Sequence, residues 1–196
     1  MRFLKPTSSL LEAVEGKVIY VLVLVILVQT IYPITTSVSP IPILIYQAMY
    51  MSLIIAGILI ARDSPQLMYG LILLGIAWMI SGIIFTFNQT AVWAVLLSYV
   101  VIAPFQATVI WVLMHYIFMT RRVTRDVLYA AVAVYFLIGA LFVPIYGVIE
   151  TLTFASTQGN HAFSANNIVA GQIYQWQNFV YYSYVTLTTM GYGDIL

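Results

Sequence analysis

Apolar residues run nearly unbroken along this chain, and the polar ones gather in short breaks between the runs. Five apolar runs follow one another at Val18–Thr36, Ile41–Ala61, Leu67–Phe87, Ala91–Met119 and Val127–Phe154. A helix needs about 20 apolar residues to cross a hydrocarbon core of about 30 Å, so the runs predict membrane-spanning helices. They are too long and too evenly apolar for the alternating strands of a barrel. The fourth run exceeds what a span needs; tilt, an end lying along the interface, or a kink at Pro104 would accommodate the excess, and Pro33 and Pro144 are further kink candidates. Composition agrees with this all-α membrane reading. The chain is 63% hydrophobic and 7% charged, where soluble domains carry about 25% charged residues, and its mean hydropathy is +1.01.

The polar breaks set an expected orientation. Residues 1–17 are polar and of mixed charge, and Ser9-Leu10-Leu11-Glu12 fits a capping box, which predicts a short helix from Leu10 on the cytoplasmic surface. This start is not read as a cleaved signal, because the apolar run from Val18 is too long and no small-x-small site follows it. Arg2, Lys5 and Lys17 precede the first run, Arg62 follows the second, and Arg121, Arg122 and Arg125 follow the fourth. The breaks at Ser37–Pro40 and Asn88–Thr90 carry no charge. Alternating spans therefore put all the basic residues on one side, the positive-inside pattern with a cytoplasmic N-terminus. The fifth span then leaves the membrane on the outside near Glu150, and a segment starting at Gln175 would re-enter from there. Residues 155–173, rich in Ser, Asn, Gly and Gln, read as an extracellular loop, with Trp93 and Trp176 at the outer interface. Asn88-Gln89-Thr90 matches a glycosylation sequon, but the turn is too short and too close to the membrane to use it.

Charge and residue type narrow the function. A net charge of +1 points to no nucleic acid, and the absence of cysteine leaves no disulfide or thiolate metal site. His115 and His161 stand far apart, and no carboxylate pair or nucleophile–base set occurs, so the chain reads as no enzyme and calls for no cofactor. The stretch Ser64–Thr120 contains no Asp, Glu, Lys or Arg. A voltage sensor needs arginines recurring along a helix, and the fourth run has none. Gln47, Asn88, Gln89 and Gln106 read as packing or interface groups, and Trp78 and Trp111 as lipid- or helix-packing residues.

The stretch Thr186–Asp194, Thr-Leu-Thr-Thr-Met-Gly-Tyr-Gly-Asp, carries the chemistry. Gly191 and Gly193 can take backbone angles closed to other residues. Alternating such angles with ordinary ones can point successive carbonyls the same way. Four such chains around an axis would make rings of oxygens able to replace the water around a K⁺ ion. The Thr189 hydroxyl would add an inner ring.

Thr189-Met190-Gly191-Tyr192-Gly193 resembles the potassium-channel signature T-V-G-Y-G, with Met190 in place of Val. The resemblance runs back through Tyr181–Thr188, which looks like a pore helix, and forward to Asp194, the usual acid after the filter. More loosely, Arg121–Glu150 is similar to the outer helix of a prokaryotic single-pore channel. The resemblance implies passive K⁺ conduction in a prokaryotic plasma (inner) membrane by a homotetramer embedded in lipid, one filter copy per chain. The ion ligands would be the backbone carbonyls of Thr189, Met190, Gly191 and Tyr192 with the Thr189 hydroxyl, and Gly193 would complete the filter. The expected organisation is a cytoplasmic segment 1–17, a four-span module 18–120 without sensor arginines, and a pore module 121–196. The last divides into outer helix 127–154, turret 155–173, pore helix 175–188 and filter 189–193.

The resemblance also implies a set of supporting residues. Tyr181 and Tyr182 stand where relatives carry two tryptophans and would form an aromatic cuff behind the filter, with Thr188 closing the pore helix and Tyr192 pointing into the cuff. Val185 replaces a glutamate that in some relatives bonds the acid after the filter, which implies that Asp194 lacks this clamp. Glu150, the one acid in the fifth run, reads either as a solvated end-of-span acid or, as in voltage-gated relatives, as a group bonding backbone N–H just past the filter. Only three residues follow Gly193, too few for an inner helix, so residues 1–196 are expected to be part of a longer channel that do not conduct alone. Two other readings stand beside this one: a non-conducting or modulatory membrane subunit, and a transporter with an incidental G-Y-G.

Overall fold

A computed structural model of the chain describes residues 18–31, 40–60, 65–89, 91–120, 122–157, 160–164 and 174–195. The segment 1–17 with its expected helix from Leu10, together with Pro33, Arg62, Thr90, Arg121 and residues 165–173 of the expected turret, lies outside them. Among the described residues six helices follow in order: α1 (Val18–Ile31), α2 (Pro40–Ile60), α3 (Pro65–Phe87), α4 (Val92–Met119), α5 (Arg125–Ser156) and α6 (Trp176–Leu187). The described chain is all-α.

The helices form because a helix satisfies its own backbone bonds, which is the only economical state of a chain in hydrocarbon. Polar side chains inside them turn back on their own helix. Thr86 Oγ1 donates to the Gly82 carbonyl at 2.8 Å, Thr108 Oγ1 to Pro104 at 2.7 Å and Thr151 Oγ1 to Gly147 at 2.6 Å. Both α4 and α5 continue through their prolines, Pro104 and Pro144. The start of α5 is capped by Thr124, whose side chain accepts from Val127 N at 3.4 Å, and Asp126 lies in its first turn, where the helix dipole favours an acid.

Three helices, Pro65–Phe87, Val92–Met119 and Arg125–Ser156, are long and apolar enough to cross a membrane, while Val18–Ile31 and Leu44–Ile58 are shorter apolar stretches. The outward faces are as apolar as the inward ones: Leu73 is 68% exposed and Ile55 53%. A helix that is hydrophobic all round requires either protein or lipid on every side.

The packing closes a ring. α1 lies against α2 and α5, α2 against α3, α3 against α4, and α4 against α5. One apolar core threads the ring, from Val18, Val21 and Val25 through Leu71, Phe105 and Leu113 to Ala130, Ala133 and Leu137. The helix expected to begin a separate pore module is thus also the staple of the first four. Small residues on α5 permit this closeness. At Gly147 a Cβ would run into the Tyr99 ring of α4. α6 packs along the middle of α5, from Tyr135 to Tyr146.

Candidate functional site

The geometry around Thr186–Asp194 starts from how α6 is held. Three hydrogen bonds tie it to α5: Ser183 Oγ donates to the Gly139 carbonyl at 2.6 Å, the Tyr184 hydroxyl to Phe136 at 2.8 Å, and the Tyr135 hydroxyl to Leu187 at 3.3 Å. Gly139 makes room for this, since a Cβ there would lie 2.6 Å from Tyr184 Cε1. Beside these bonds α6 sits in a web of rings. Tyr182 stands 5.0 Å from Tyr146 and 5.3 Å from Phe163, and Phe179 stands 5.9 Å from Tyr174, all centre to centre. Val143, Tyr174, Phe179 and Val180 are buried at the middle of this web.

α6 ends in a defined stop. Thr188 N–H donates to Tyr184 O at 2.9 Å, Thr189 N–H to Thr186 O at 3.0 Å and Met190 N–H to Val185 O at 3.1 Å. With Thr189 at φ +58°, this is the Schellman pattern, which satisfies carbonyls that a helix end leaves without donors. Thr188 Oγ1 also returns to Tyr184 O, at 2.7 Å. Beyond the stop the backbone keeps alternating. Gly191 has φ +51° and Gly193 φ +70°, while Met190 and Tyr192 between them are not in the positive region. A Cβ at either glycine would meet nothing within 4 Å. These glycines are needed for their backbone angle, not for space. Met190 and Tyr192 are 61% and 63% exposed.

The far end of the segment is pinned as well. Asp194 Oδ2 accepts a hydrogen bond from the Tyr181 hydroxyl at 2.7 Å, and Oδ1 accepts from Ile195 N at 3.2 Å. The apolar Val185 side chain offers Asp194 no bond, yet the acid is clamped, from one helical turn earlier. The phenol of Tyr181 reaches further than a carboxylate at 185 needs to. The bond from Tyr181 is one that the resemblance did not imply, beside the missing clamp from residue 185. The local signal for it was the pair Tyr181-Tyr182 itself, whose polar tips seek partners.

Glu150 is 1% exposed, so the solvated reading does not hold. Its Oε2 accepts from Ala162 N at 2.8 Å and Phe163 N at 3.3 Å, and Oε1 lies 2.5 Å from His161 Nδ1. Its donors therefore come from the stretch that follows α5, not from groups just past Gly193. An acid near a helix C-terminus faces the negative end of the dipole and needs such donors. His161 is in turn wedged between the rings of Phe154 and Tyr174, at 5.2 and 5.1 Å, and Tyr174 donates to Phe163 O at 2.9 Å. Sequence reading missed His161 as a partner because eleven residues separate it from Glu150. The result is a fixed collar of residues 160–164 and 174 on the end of α5, from which α6 starts.

No family model matches the chain, and neither a curated protein nor a solved structure does.

Proposed function

We propose that this chain is a subunit of a potassium-selective ion channel, with four copies placing Thr189–Gly193 around a common axis. The observation that carries the reading is the alternation of left-handed and ordinary backbone angles at 189–193 directly after a short helix end. In that arrangement the carbonyls of Thr189, Met190, Gly191 and Tyr192, with the Thr189 hydroxyl, are the ligands that replace water around K⁺. The C-terminal end of α6 adds a partial negative charge where a cation waits. The bond from Tyr181 to Asp194 and the helix stop hold the segment at its two ends. Glu150 and its collar set where α6 begins. The conduction is passive, in a membrane whose cytoplasmic face holds the basic loops.

The test is the reversal potential of the protein, as its gene encodes it, in bilayers with mixed K⁺ and Na⁺. A shift following the K⁺ gradient alone is expected, and Gly191→Ala removes it, because a Cβ opposes φ +51°. Equal permeability to the two ions ends the proposal. One observation favours a second reading: the Schellman bonds account for Thr189 without any ion. In that reading the segment is an ordinary helix stop in a non-conducting membrane subunit, and Gly191→Ala changes no current.

A further inference from the structure

Gln29, Gln47 and Gln106 stand on α1, α2 and α4, yet all three line one cavity of about 110 Å³. Their side-chain carbonyl oxygens are buried and have no hydrogen-bond partner among the described residues. Gln47 and Gln106 are 8% and 3% exposed. The amide of Gln47 cannot simply be turned over. Its nitrogen donates to the Met79 carbonyl at 3.1 Å, and a carbonyl only accepts, so the oxygen is the atom left over. Gln106 gives its amide proton to the Tyr50 hydroxyl at 2.7 Å. Across the cavity, Pro144 has no N–H to give the Ala140 carbonyl one turn back, and both residues line the wall. The cavity thus gathers three amide oxygens that none of its own hydroxyl or indole donors reaches. Buried acceptors without partners cost free energy that a bound donor returns.

The remaining wall says which donor fits. Tyr46, Tyr50, Trp78 and Tyr99 present rings, and the lining holds no Asp, Glu, Lys, Arg or His. A cation entering here would meet no counter-charge, and a buried charge without one is costly. One water needs only about 10–15 Å³, a small part of this volume. The volume is of the order of the about 150 Å³ apolar cavity that holds benzene. We propose that this cavity binds a small neutral aromatic alcohol, a phenol-sized ring carrying one O–H. The ring lies among the aromatic side chains and the hydroxyl shares its one proton between the oxygens of Gln47 and Gln106 in a three-centre bond. The same wall includes Trp176 and Val180 of α6, and Tyr46 stands 4.6 Å from Trp176. Occupancy therefore ties the first four helices to the helix that precedes Thr189–Gly193, whatever that segment conducts.

Photolabelling tests this on the protein in lipid nanodiscs, with a diazirine-bearing phenol as probe. Adducts are expected on Tyr50, Trp78 and Ile102, and excess phenol suppresses them. Benzene competes about ten-fold less well, since it brings no donor. Cyclohexylammonium does not compete. Gln47→Leu and Gln106→Leu, which keep much of the side-chain volume, each lower the phenol-protected labelling about ten-fold. If either variant misfolds, the ligand series on the unaltered protein decides alone. Labels spread over lipid-facing side chains and indifferent to phenol overturn the site. So do benzene competing as well as phenol, which makes the cavity merely apolar, and cyclohexylammonium competing better, which makes it a cation site.

Discussion

Thr189 is the one non-glycine residue among those described with a positive φ, +58°. A β-branched residue there is a genuine outlier, because its Cβ crowds the following carbonyl at a cost of about 1–2 kcal/mol. Glycine would serve the helix stop better. What threonine has and glycine lacks is a hydroxyl, and under the proposed function that hydroxyl is an ion ligand. The two demands oppose each other, which makes the position diagnostic. Thr189→Gly is expected to raise stability by about 1 kcal/mol, read as thermal unfolding in detergent, while lowering selectivity for K⁺ over Na⁺ in bilayers. A variant that loses stability shows that the threonine is there for the stop. Tyr181 poses a separate question, since its bond to Asp194 is exposed and contributes little to global stability. Its effect is local. Tyr181→Phe is expected to leave the melting temperature nearly unchanged and to speed amide exchange over 190–195 about three- to ten-fold, for a bond of about 1 kcal/mol. Unchanged exchange removes the clamp from the account. The glycine pair was legible in the chain because positive φ is nearly glycine's own. The clamp was not, because a hydroxyl thirteen residues away finds its acid only once α6 has formed and ended.

Among the elements, α5 and α6 meet through backbone as much as through side chains. Ser183 and Tyr184 both donate to α5 carbonyls, at Gly139 and Phe136, and the approach is possible because residue 139 has no Cβ. Gly139→Ala places a methyl 2.6 Å from the Tyr184 ring. The ring is anchored by its own hydroxyl and cannot swing away without losing that bond. The expected loss is about 1–3 kcal/mol, as for other overpacked sites, and it is expected to free α6 rather than unfold α1–α4. Exchange protection over 176–187 then falls while that over 92–119 stays. Uniform loss across the chain contradicts the separate hold of α5 on α6. Helix positions were readable because the runs are long and their breaks polar. The ring closed by α5 was not. Each of α1–α4 is apolar around its whole circumference, so no stripe announces which side is buried. For the same reason Gln29, Gln47 and Gln106 read singly as packing groups, and only the closed ring brings them to one cavity.

For the whole molecule, the distribution of charge sets how a membrane potential can act. No Asp, Glu, Lys or Arg occurs anywhere in α1, α2, α3 or α4. In α5 the charges are Arg125 and Asp126 at its first turn and Glu150 near its end. Glu150 is fixed by Ala162, Phe163 and His161, so it cannot travel through the field without breaking three contacts. Arg125 is exposed at the entrance of the helix, where most of the potential has either already dropped or not yet begun to. Moving one elementary charge through the full field is worth about 2.3 kcal/mol per 100 mV, and steep gating needs several such charges in every subunit. The spans described here hold none that can move. If four of these chains form the proposed pore, rearranging α1–α4 does almost no electrical work. The conductance of the channel is therefore expected to change only gradually with voltage, with less than one elementary charge's worth of steepness per subunit. Current–voltage families recorded in symmetric K⁺, with internal Mg²⁺ and polyamines removed so that voltage-driven block cannot imitate gating, check this. A steep conductance–voltage curve that survives their removal contradicts it, and requires charge to move somewhere other than α1–α5.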